Sequence, residues 1–175
     1  MADEVMQRLQ DMSDDSLALH NALRTAHDRP LRSQISHVTT SRHLSDRALS
    51  LLLHLAPQPA LTTGEGLHAL SHFAQVAQTT QEAAMQLTTG LAREVEHRRV
   101  ATAAGGSPVV VVGPSPQQHL LAAVDLLKRV PNLCAAARNR LAAAEGKRSA
   151  GAAPIVPLPV ASLNPPAPQT GGPCP

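Results

Sequence analysis

Between Thr62 and about Arg99 the chain carries apolar residues at helical spacing along nearly its whole length, and all 15 of its prolines lie outside that stretch. Such a run can only be a helix, about 55 Å long if continuous at 1.5 Å per residue. Two adjacent apolar stripes mark it. One is Leu67, Leu70, Ala74, Ala77, Ala84, Leu91 and Val95; the other is Phe73, Val76, Ala83 and Leu87. A helix with two neighbouring stripes touches two other helices, which makes a bundle the expected architecture. Thr62 with Glu65 fits a capping box at its start. Thr88-Thr89-Gly90 is the place for a bend.

Helices of matching character flank it. From Asp3 to Ala26 the residues Val5, Leu9, Met12, Ser16, Leu19, Leu23 and Ala26 alternate in steps of four and three, a heptad seam. Asp28 and Pro30 then open a second helix, ended by Pro57 and Pro59. Its stripe reads Leu31, Ile35, Val38, Ser45, Ala48, Leu52 and Leu55, broadened by Leu49, Leu51 and Leu53, with a polar middle from Thr39 to His43. Both helices should measure roughly 35–40 Å, shorter than the third.

A linker over 103–117 holds four consecutive valines, expected as a strand-like strap across the bundle or an edge open to a partner strand. Ser115, Pro116 and Gln118 form a strong start for a fourth helix, carrying Leu120, Leu121, Val124, Leu127, Leu133, Cys134, Ala137 and Leu141. Pro131 should kink or split it. From 146 to 175 the composition is Pro, Ala and Gly, which cannot bury enough surface to order itself. The expected fold is therefore all-α: an elongated antiparallel up-down bundle of three to four helices over 1–145, followed by a disordered tail.

Composition narrows the chemistry. Apolar residues are 43% of the chain but aromatics 1%, Phe73 alone, so the core must be Leu, Ala, Val and a few Met. Arg far outnumbers Lys, a bias that fits a GC-rich genome. No apolar run approaches the ~20 residues of a membrane span. Two cysteines, Cys134 and Cys174, make no disulfide framework, so a reducing, cytoplasmic setting is expected.

Metal and catalytic readings are weak on spacing alone. His68 and His72 stand one helical turn apart but lack the glutamate of a metalloprotease motif. Glu65/His68 and Glu94/His97 match the Glu-x-x-His pairs of di-iron bundles, yet they lie about 43 Å apart on one helix. Cys134 sits at an apolar seam position, where cysteine acts as a small hydrophobe. No catalytic, cofactor or metal residue is assigned, and no small-molecule substrate is evident.

What remains is a non-enzymatic interaction, scaffold or assembly module. It would bind a protein partner or itself through the end of the long helix past about Gln86, at Leu87, Leu91, Val95, Arg98 and Arg99. The alternative is a small DNA-binding regulator using a basic face of the fourth helix, with Lys128, Arg129, Arg138, Arg140, Lys147 and Arg148 on phosphates.

Overall fold

The computed structural model describes residues 2–25, 30–62, 64–105 and 112–151. They form four helices: α1 (Ala2–Thr25), α2 (Leu31–Leu55), α3 (Glu65–Ala103) and α4 (Pro116–Gly151). One 3-10 turn, Pro59–Leu61, joins α2 to α3. There is no strand among the described residues. Val109–Val111 and the tail from 152 onward lie outside them, and Val112 is exposed.

Each helix packs on two others: α3 against α4 and α2, and α1 against α4 and α2. Side-chain pairs between helices fix the directions. On α1 and α4, Arg138 donates to Gln10 and His20 pairs with the Val124 carbonyl, so these two run antiparallel. On α3 and α4, Gln86 meets His119 and Glu65 meets Arg140, again antiparallel. The result is the expected up-down bundle, with helices in chain order around a square.

The α1 seam is as expected: Val5, Leu9, Met12, Ser16, Leu19 and Leu23 are all buried, and Ala26 lies outside the described residues. The helix runs unbroken through its polar stretch at Ser13, where the Ser16 hydroxyl donates to the Ser13 carbonyl at 2.8 Å. On α2 the buried seam is Ser41, Leu44, Ala48, Leu51 and Leu55. That is a rotated register from the stripe expected on Ile35, Ser45 and Leu52, and it leaves Ile35 exposed. Five leucines between 49 and 55 satisfy either stripe, and the small Ser41 decides between them by fitting inside.

On α3 the second expected stripe is wholly buried, and it extends through Gly66, Ala69, Thr80 and Gly90. The first stripe contributes Ala77 and Ala84 to the interior, while Leu67 and Val95 stay exposed. No capping box starts this helix. Gly64 precedes it at φ 53°, a left-handed conformation suited to glycine, and Thr62 instead donates to the Pro59 carbonyl at 2.8 Å. The helix is assigned continuously through Gly90.

The α4 cap is as expected. The Gln118 amide donates to the Ser115 hydroxyl at 3.2 Å, and the Ser115 amide donates to the Gln118 side chain at 2.7 Å. Pro131 does not split the helix, which continues past Ala144 to Gly151. The proline removes the donor that the Leu127 carbonyl would have used. Full burial of Leu127, Val130 and Cys134 around it offsets that loss.

These caps are separable by experiment. Ser115→Ala should lower stability in urea unfolding by about 1 kcal/mol. Thr62→Ala, in an exposed turn, should change it by less than about 0.5 kcal/mol.

Candidate functional site

The core runs down the middle of the bundle and stops short of one end. On α2, continuing the buried seam toward the N-terminus reaches Gln34 and His37 rather than leucines, and nothing before Ser41 is buried. On α3, the seam beyond Gly90 reaches Glu94 and Arg98. Polar groups at these positions keep the helix ends from closing on each other. Between them lies a groove of about 650 Å³. Leu23, Val38, Leu87, Leu91, Leu120 and Val124 supply its apolar lining; Arg24, Gln34, His37, Glu94, Arg98 and Asp125 supply the polar part.

At the same end α3 outruns its partner. A methyl group built on Gly90 would stand 3.2 Å from the His119 Cβ and 3.4 Å from the Pro116 carbonyl, so α4 begins at the level of Gly90. Leu91–Ala103 therefore continues past α4 for about 20 Å. Ion pairs brace this projection along its own surface. Arg98 donates to Glu94 at 2.7 Å, and Arg99 makes two hydrogen bonds to Glu96. The Arg99 bonds hold the Glu96 carboxyl below its ordinary range. The returning chain passes close by, with the Arg93 guanidinium against Gly113.

The residues expected to contact a partner thus divide. Leu87 is buried and belongs to the core, and Gln86 is occupied by His119 at 2.8 Å, so α3 clears the start of α4 from Leu91 rather than from near Gln86. Leu91 lines the groove, Val95 is 48% exposed, and Arg98 and Arg99 are both paired. Sequence reasoning did not assign Gln34 or His37 to a site. Their signal was the break in the apolar seams near the ends of α2 and α3.

The expected basic face is also divided. Arg138 reaches Gln10 on α1, and Arg140 pairs with Glu65 on α3 at 3.2 Å. Lys128 and Arg129 are exposed beside Asp125 and Asn132 at a shallow depression on the α3–α4 face. The side chains of Lys147 and Arg148 lie outside what the structure describes.

Among the described residues no three His, Cys, Asp or Glu side chains converge as a metal site would require. His68 is exposed, and His72 is half-buried with its Nδ1 lacking a hydrogen-bond partner. Cys134 is fully buried, and burial pushes its thiol up to about 11. No described helix is long and apolar enough to cross a membrane. No protein family, curated protein or solved structure matches the chain.

The thiol gives a signed pH dependence. In the unfolded chain Cys134 ionises near 9, before the folded one does near 11. Over that interval the folded state binds more protons, so stability falls as pH rises. In a Cys174→Ser background, urea midpoints should drop between those two pH values by the equivalent of roughly 2 kcal/mol. Adding Cys134→Ala should abolish that limb.

Proposed function

We propose that the protein is a non-enzymatic helical interaction or assembly module, associating with a protein partner, first of all a second copy of itself, through the projecting part of α3 and the groove at its base. One observation carries this reading: α3 runs on from Gly90 for about 20 Å beyond the start of α4, and at that point the apolar interior opens to solvent instead of closing. Leu91 joins the two features, since it stands at the root of the projection and lines the groove. Val95 and, at the start of α4, Leu121 add exposed apolar surface near the same end. A free, buried Cys134 supports a reducing, cytoplasmic setting.

The nucleic-acid reading draws less support. Two of its six cations, Arg138 and Arg140, are engaged within the bundle, and an acidic side chain, Asp125, shares the depression that Lys128 and Arg129 border. Phosphate binding works best where cations are unopposed.

Light scattering across a concentration series tests the proposal. The expected result is a mass above the 18.3 kDa of one chain, rising with concentration. Leu91→Glu with Val95→Glu should return it to the monomer with helical circular dichroism unchanged. A strict monomer at the highest concentration would overturn self-association.

A further inference from the structure

Past Gly90 the inward face of α3 continues through Leu91, Glu94, Arg98 and Ala101. The first three line the groove. At 3.6 residues per turn all four fall within roughly 80° of arc, so they make one stripe. The bundle does not use it up: Leu91 and Glu94 are half-buried, Arg98 and Ala101 exposed.

This stripe is its own complement when reversed. Forward it runs apolar, acidic, basic, small; backward it runs small, basic, acidic, apolar. Laid antiparallel on a second copy, it sets Leu91 against Ala101 and Glu94 against Arg98, then repeats both pairs in reverse. That alignment centres on Glu96. A slip of one turn in one direction would bring the two Glu94 side chains together, and in the other the two Arg98 side chains. Parallel pairing would set like charge on like at both positions.

Length selects the same alignment. With the two-fold axis at Glu96, Ala103 at the end of α3 stands level with Thr89 of the other copy, beside the start of its α4. The two projections therefore span each other fully and stop where the bundles begin. Arg93, against which Gly113 packs, points about a third of a turn away from the stripe, so that contact leaves it clear. In the single chain Glu94 holds its own Arg98 at 2.7 Å. In the pair each carboxylate also meets the Arg98 of the second copy, and such a network counts for more than an isolated surface pair.

We infer that two copies join tip to tip through an antiparallel α3–α3 contact with a two-fold axis at Glu96, each projection completing the other's groove. The inference rests on the self-association proposed above and supplies its geometry. The contact is isologous, so it closes at two copies. Its length of about three helical turns makes it a small interface, and the association is accordingly concentration-dependent.

Charge exchange tests the pairing, read by sedimentation of the full chain, with circular dichroism confirming unchanged helix content. Glu94→Arg alone and Arg98→Glu alone should each weaken the dimer by about tenfold or more, because like charges then face each other twice. An equimolar mixture of these two variants should dimerise again, since each Arg then faces a Glu. Neither chain in that mixture regains its own ion pair, so recovery cannot come from repair within the helix. The double variant Glu94→Arg with Arg98→Glu should also dimerise, as only the antiparallel alignment allows. A parent that associates while the single variants match it would overturn the pairing and leave the proposed function standing. Single variants that dissociate without recovery in the mixture would overturn it as well. A parent that stays monomeric throughout would overturn both.

Discussion

The close packing of α3 on α4 is the contact on which the rest of the structure depends. Both helices bury small residues: Gly66, Ala69, Ala83 and Gly90 on α3, Ala123, Cys134, Ala137 and Ala144 on α4. With so little side chain between them the two backbones come near, as the space left at Gly90 shows. Many short dispersion contacts then replace the few large ones that aromatic side chains would make. α1 completes the square against α4, and α2 against α3. Because α3 and α4 are aligned at Gly90, the surplus length of α3 emerges at one end only.

Polarity is graded along the bundle axis, and the gradation explains where the molecule is closed and where it opens. Toward the α2–α3 connection the interior is sealed by Leu9, Met12, Leu55, Leu61 and Phe73. Toward the other end, Gln34, His37, Glu94 and Arg98 replace the apolar residues that would continue the seams. Polar side chains at these positions are costly to bury, which favours an open groove over a closed apolar seam at this end.

Much of the architecture was legible in the chain because three of its helices carry unbroken heptad seams. The α1 seam could be named residue by residue, and on α3 Phe73, Val76, Ala83 and Leu87 could, whereas the small or polar Gly66, Ala69, Thr80 and Gly90 of the same seam could not. The α2 seam could not, because its leucines are too many and its inward serine too inconspicuous. The cap on α3 misled for a related reason: Thr62 and Glu65 have the right spacing, but Gly64 turns the backbone left-handed and sends the hydroxyl to Pro59. Pro131 misled because propensity is local, whereas the burial of Leu127, Val130 and Cys134 is a property of the whole bundle. The site was the least legible part. A groove made where the apolar seams of α2 and α3 give way to polar residues has no motif of its own, and only the relative levels of the helices disclose it.

The solitary phenylalanine has a consequence of a different kind. With no tryptophan or tyrosine, the chain is nearly dark in near-ultraviolet absorbance and has no useful intrinsic fluorescence. Phe73 is 2% exposed on the α3 seam, and its ring imposes local magnetic shielding on the methyl groups packed around it. Those displaced methyl resonances are a natural built-in gauge of whether the interior is assembled, in a molecule that offers optical methods almost nothing to see.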